Sequence, residues 1–154
     1  MTTSAKILLA EDDAIAAHHL QQSLLRMGYH VTGVVKTGEE VIDNVAETKP
    51  DLILMDITLG GKIDGICAVQ KVNAQTDIPV IYLTANSDSE VFEQAKSTRP
   101  YAYIIKPYEL YQLQNAIEIA LFKHHLEKQL KESESRYRTI FEVSDNAMML
   151  IDED

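Results

Sequence analysis

Asp51-Leu-Ile-Leu-Met-Asp56 is a short apolar run with a carboxylate at each end. A strand that is apolar on both faces is covered on both faces, the mark of a parallel sheet sandwiched between helices. The pattern recurs in both directions along the chain. Upstream, Lys6-Ile-Leu-Leu-Ala10 is of strand length and runs into Glu11-Asp12-Asp13, and Tyr29 to Val35 is β-branched and strand-like. Downstream, Pro79-Val-Ile-Tyr-Leu83 leads into Thr84-Ala85, and Ala102-Tyr-Ile-Ile105 leads into Lys106-Pro107.

Helical segments separate these runs. Ala14 to Met27 has apolar residues at Ile15, Leu20, Leu24 and Leu25, with Gly28 as its stop. Thr37-Gly-Glu-Glu40 has the capping-box pattern and opens a helix through Glu47, which Pro50-Asp51 breaks. Asp64 to Thr76 reads as a helix, and Ser87-x-x-Glu90 caps another that runs to about Lys96. A long helical stretch begins near Tyr108. Strands alternating with helices predict an α/β fold: a flavodoxin-like, doubly wound, five-stranded parallel sheet of order 2-1-3-4-5 with helices on both faces and an extended C-terminal helix.

Composition narrows the function classes. The chain of 154 residues has a formal net charge of -10, which argues against direct nucleic-acid binding and for partners with basic or apolar faces. No apolar stretch approaches the roughly 18 residues of a membrane span, and no signal peptide is recognisable. The single cysteine, Cys67, fits a reducing, cytoplasmic location. His18, His19, His30, His124 and His125 show no ligand spacing and read as structural or solvated residues.

In an open parallel α/β sheet the carboxyl ends of the strands share one edge, where ligands bind. Glu11, Asp12, Asp56, Thr84 and Lys106 should therefore converge there. Taken singly, each has an ordinary reading: one of Asp12 and Asp13 as a helix cap, Asp56 as a turn residue, Thr84 as another cap, Lys106-Pro107 as a strand exit. Taken together, they are complementary. Clustered carboxylates repel, and Lys106 with a hard divalent cation such as Mg²⁺ would offset them. With such a cation, an Asp carboxylate becomes a usable nucleophile towards a phosphoryl donor, and a lysine and a hydroxyl suit the oxygens of the transferring group.

Ile7-Leu-Leu-Ala-Glu-Asp-Asp13, Asp51-Leu-Ile-Leu-Met-Asp56, Tyr82-Leu-Thr-Ala85 and Tyr103-Ile-Ile-Lys-Pro107 together resemble the motifs of response-regulator receiver domains of two-component signalling, from about Lys6 to Leu121. The resemblance implies that Asp56 takes a phosphoryl group from a histidine kinase or phosphotransfer protein. It implies Mg²⁺ bound directly by Asp12 and Asp56, through water by Glu11, and by the backbone carbonyl of Thr58. Lys106 would contact the phosphoryl group, Thr84 would turn towards it, and Tyr103 would change rotamer with Thr84. Receivers usually have a proline four residues after the acceptor; here Thr58-Leu-Gly-Gly-Lys-Ile-Asp-Gly65 lacks it, and Asp64-Gly65 arrives one residue late. Thr58 and Asn86 occupy the positions at which the family tunes hydrolysis. A degenerate receiver acting only as a docking or dimerisation module is the alternative. An Asp-nucleophile phosphatase ranks last, because Thr58 stands where such enzymes place a second Asp.

The expected organisation is a receiver domain over 1–123, a helical linker over 124–138 and a truncated start of a PAS domain over 139–154. Glu132-Ser-Glu-Ser-Arg-Tyr-Arg-Thr-Ile-Phe141 and Asp145-Asn-Ala-Met-Met-Leu-Ile-Asp152 resemble the opening of a PAS sensor domain, with a strand expected over Ala147 to Ile151. The chain is thus expected to be a fragment of a longer signalling protein with a downstream PAS or kinase module. Leu126 and Leu130 offer a heptad-like seam for a homodimer through the C-terminal helix.

Overall fold

The computed structural model describes residues 4–85 and 89–152, with side chains described at 4–85 and 90–138. Five strands alternate with five helices: β1 (Lys6–Ala10), α1 (Ala14–Arg26), β2 (His30–Val35), α2 (Gly38–Thr48), β3 (Leu52–Asp56), α3 (Gly65–Gln75), β4 (Val80–Thr84), α4 (Ser89–Lys96), β5 (Ala102–Ile105) and α5 (Leu110–Asp152). All pairings are parallel and the order is β2-β1-β3-β4-β5, as expected. Ser87 and Asn86 lie outside the described residues.

The period-two geometry of a strand divides the core into two layers. Leu8, Ile53, Met55 and Tyr82 pack on one face with Val41 and Val45 of α2 and Val69 and Val72 of α3. Their sequence neighbours Ile7, Leu9, Leu54, Ile81 and Leu83 pack on the other face with Leu20 and Leu24 of α1 and Leu113 and Ile117 of α5. This double coverage makes β1, β3 and β4 apolar along their length. Leu110, the first residue of α5, is 41% exposed; burial on α5 begins at Leu113.

Local chemistry sets the helix ends. The Asp13 carboxylate accepts from the backbone N–H groups of Ile15 and Ala16 and caps α1. At the other end, Gly28 takes φ +93, and the N–H groups of Gly28 and Tyr29 donate to the carbonyls of Leu25 and Leu24, a Schellman closure that needs glycine. Thr37 caps α2 by accepting from Glu40 N at 3.1 Å, while the Glu40 carboxylate reaches back to Lys36 N at 3.1 Å. Asp64 caps α3 through Cys67 N at 2.8 Å.

The chain comprises two compact units, Met1–Leu121 and Phe122–Asp154. The second is helical from Phe122 to Asp152, so the strand expected over Ala147 to Ile151 is not formed. A five-residue apolar run does not distinguish strand from helix by period. Ala, Met and Leu are strong helix formers, and extending an existing helix avoids the cost of nucleating a new element.

Gly65, the first residue of α3, lies against the strand that ends in Asp56. A Cβ added there would stand 2.5 Å from the Asp56 carbonyl oxygen and 3.2 Å from Ile57 Cα, both backbone atoms. We predict that Gly65→Ala lowers stability by about 1–3 kcal/mol, the usual cost of forced overpacking. Urea unfolding followed by circular dichroism would show it, and an unchanged midpoint would contradict the close approach.

Candidate functional site

Two strand ends, those of β1 and β3, supply the three carboxylates. Glu11 directly follows β1, and its backbone N–H continues the ladder to Val35 O at 2.9 Å, so its position is set by the sheet. Its side chain turns inward, and the residue is 2% exposed. Asp56 closes β3 and is 5% exposed. Asp12 is exposed, and because Asp13 serves as the α1 cap, Asp12 joins Glu11 and Asp56 instead. Carboxylate oxygens of Glu11, Asp12 and Asp56 lie within 4.8 Å of one another.

Lys106 follows β5 and crosses to this cluster. Its Nζ donates to Glu11 Oε2 at 2.9 Å and to Asp56 Oδ2 at 3.3 Å. Its backbone N–H donates to Thr84 O at 2.7 Å, which ties the end of β5 to the buried end of β4. The Lys106–Pro107 bond is cis. Desolvation pulls the lysine pKa down, but the hydrogen bond to Glu11 and the charges of Asp56 and Glu11 outweigh it and leave the ammonium above its usual range. The stabilisation from this pairing is complete below the ordinary lysine value of 10.5 and is lost only as pH rises through the raised folded-state value. The ammonium is therefore charged across the physiological range.

Opposite the lysine, Asp56 Oδ1 accepts from Thr58 N at 3.0 Å and from Thr58 Oγ1 at 3.2 Å. The two oxygens of Asp56 thus have different partners: one faces a cation, the other a turn. The donor set consists of hard oxygens, two of its carboxylates buried and one open to solvent. One ammonium does not balance three carboxylates. This set suits a small divalent cation that keeps part of its water shell, so the residues fit Mg²⁺.

Tyr103 on β5 sits opposite Tyr82 in the register, with ring centroids 5.9 Å apart. It also packs on Phe92 of α4 at 4.6 Å. Its hydroxyl is buried with no hydrogen-bond partner among the described residues, and burial followed by the charge of Glu93 pushes its pKa up. By contrast, the Tyr82 hydroxyl pairs with Thr98 Oγ1 at 2.7 Å. Sequence reasoning did not find Thr98. Its signal was a tyrosine in a central buried strand, which needs a polar partner at its tip. The histidines take no part in the acidic cluster.

A doubly wound α/β fold with three carboxylates, a threonine and a lysine gathered at the carboxyl edge of its sheet defines the class. The response regulator receiver domain profile matches residues 7–118, and the chain belongs to that family. The transcriptional regulatory protein PdtaR of Mycobacterium tuberculosis is 33% identical over 116 residues, covering 75% of this chain and 56% of that protein. The chain thus spans about half the length of curated relatives it matches. The signal receiver domain of a modulated diguanylate cyclase from Desulfovibrio desulfuricans superposes with a TM-score of 0.78 at 35% identity, covering 81% of this chain and 99% of that one. The receiver domain of a Pseudomonas aeruginosa sensor histidine kinase, solved with a magnesium ion coordinated in its active-site cleft, gives a TM-score of 0.71 at 29% identity, covering 77% and 98%. The chain is therefore a receiver domain of two-component signalling with a C-terminal helical extension. No described helix is long and apolar enough to cross a membrane.

The two tyrosines give a paired prediction. Tyr103→Phe removes a hydroxyl that has no partner among the described residues and should leave stability unchanged or raise it. Tyr82→Phe removes a made hydrogen bond and should cost about 1 kcal/mol. Thermal unfolding of the two variants side by side checks the contrast, and equal losses would contradict it.

Proposed function

We propose that Asp56 is the phosphoacceptor of this receiver. The observation that carries the reading is the convergence of Glu11, Asp12 and Asp56 with Lys106 Nζ at 3.3 Å from Asp56 Oδ2. A carboxylate oxygen of Asp56 attacks the phosphorus of a phosphohistidine on a kinase or phosphotransfer protein. A new O–P bond forms, the N–P bond breaks, and its electron pair returns to the imidazole, which is left neutral or takes a proton from water. Lys106 stabilises negative charge on the transferring group. Glu11, Asp12, Asp56 and the Thr58 carbonyl would hold Mg²⁺, which when bound supplies two positive charges against the phosphoryl oxygens. Thr84, at the same strand edge, gives a hydroxyl to the new phosphoryl group. Tyr103 changes rotamer with it, and its hydroxyl, which has no partner among the described residues, supports a side chain poised between two positions.

The receiver module is assigned to 1–123, in a cytoplasmic protein, with 124–138 as a helical connector. The likeness of Glu132 to Asp152 to the opening of a PAS domain supports a sensor module next. Leu126, Leu130 and Tyr137 are exposed along the connector, and Phe122 just before it. Residues 122–138 carry Lys123, Lys128, Lys131, Arg136 and Arg138 against Glu127, Glu132 and Glu134, whereas the whole chain is at -10. A second copy can pair along this stretch without the repulsion that acidic surfaces elsewhere would impose, so the connector is assigned as a homodimer seam.

Two measurements test these readings. With Mg²⁺ and a small phosphodonor the chain should gain the mass of one phosphoryl group, and Asp56→Asn should abolish the gain; labelling that persists in the variant would reassign the acceptor. In light scattering, Leu126→Ser with Leu130→Ser should shift a dimer to monomer, and a wild-type chain that stays monomeric at high concentration would remove the seam.

A further inference from the structure

The loop that follows the acceptor strand contains Gly60-Gly61, the most permissive backbone pair in the chain, yet it takes a defined path. Its two ends are fastened locally. Thr58 is held by Asp56 Oδ1, and Gly65 N donates to Ile57 O at 3.2 Å where α3 begins. The middle is fastened from elsewhere, by the first turn of α2, which is not part of the acidic cluster.

Three consecutive residues make that attachment. Thr37 forms a parallel bridge with Gly60. Gly38 lies under Ile63: a Cβ there would stand 2.6 Å from Ile63 Cγ1 and 2.9 Å from Ile63 O. Glu39 Oε1 accepts from Lys62 N at 2.9 Å. Gly61, at φ +94, leaves room for the carboxylate; a Cβ there would stand 2.6 Å from Glu39 Oε2. The Glu39 carboxyl lies below its ordinary range, held there first by its own backbone N–H and, against some desolvation, by the N–H groups of Lys62 and Ile63 and the Thr37 hydroxyl. A single carboxylate therefore holds the Lys62 amide of the glycine-rich loop.

We propose that Glu39 is a positioning residue of the Asp56 site, which fixes the loop that carries Thr58 and thereby sets the affinity of the acidic pocket for its divalent cation. The inference rests on the assignment of Asp56 and Thr58 to that cation's site. The physical link is direct: Thr58 presents two donors to Asp56, and displacement of the loop beyond it alters the carboxylate's orientation and the direction of the Thr58 carbonyl. Groups that orient metal ligands without touching the metal commonly change affinity by about 10–100-fold.

The test uses the full chain with Glu39→Ala, Glu39→Gln and, as an α2 surface control, Glu47→Ala. In metal-free protein, amide hydrogen exchange at Lys62 and Ile63 should lose protection in Glu39→Ala and keep part of it in Glu39→Gln, whose amide oxygen still accepts. Magnesium titration by calorimetry should show affinity about tenfold weaker in Glu39→Ala, an intermediate loss in Glu39→Gln and none in Glu47→Ala. Wild-type Mg²⁺ affinity in Glu39→Ala, with or without faster exchange, would overturn the proposal and leave Glu39 a purely structural contact. A wild-type chain that binds no Mg²⁺ would instead overturn the assignment of the cation site, while the exchange data would still report whether Glu39 holds the loop.

Discussion

Lys106 reaches across three strand ends to place one ammonium between Glu11 and Asp56, two carboxylates that are almost wholly buried. Burial of unpaired charge is among the costliest events in a protein interior, and removing one member of a buried pair is strongly destabilising. The sheet makes the arrangement possible. Because β1, β3, β4 and β5 all run in one direction, their carboxyl ends open on one edge, and the backbone bond from Lys106 N to Thr84 O sets how far the lysine extends. The apolar alternation that fills both core layers thus also aims the reactive groups. Stability and chemistry share the same few residues, and neither can be altered there without the other.

The gathering of Glu11, Asp12, Asp56, Thr84 and Lys106 at one sheet edge was legible in the sequence, because strand-end position in a parallel sheet is a topological property and needs no side-chain detail. The cap at Asp13, the box at Thr37 and the stop at Gly28 were legible for a different reason: their partners lie within a few residues. What the chain did not disclose depends on paths between distant segments. The Glu39–Lys62 bond spans 23 residues and the Tyr82–Thr98 pair spans 16, and each requires a loop to follow one route among many. Ala147 to Ile151 misled for a third reason, since a short apolar run carries no period and its outcome follows from what precedes it.

The unusual loop after Asp56 can be understood in the same terms. A sequence with Gly60-Gly61 suggests looseness, but both glycines are used for contact: one pairs with Thr37, the other makes space for a carboxylate. Conformational freedom in the unfolded chain has been exchanged for close approach in the folded one. The first turn of α2, far from any reactive group in sequence, becomes the support of the loop that follows the acceptor strand.

The separation between Lys106 and its partners has a temporal side. Glu11 Oε2 and Lys106 Nζ belong to residues 95 positions apart, and the lysine comes after the last strand of the sheet. During synthesis from the amino terminus, β1 and β3 are made well before β5. Until β5 docks, Glu11 and Asp56 have no ammonium between them and stay cheapest in water, so their strands gain full burial only when the final edge closes. A chain cut short before residue 106 lacks the charge that lets its acidic edge fold inward, and with it Leu113 and Ile117 of α5, which cover one core layer.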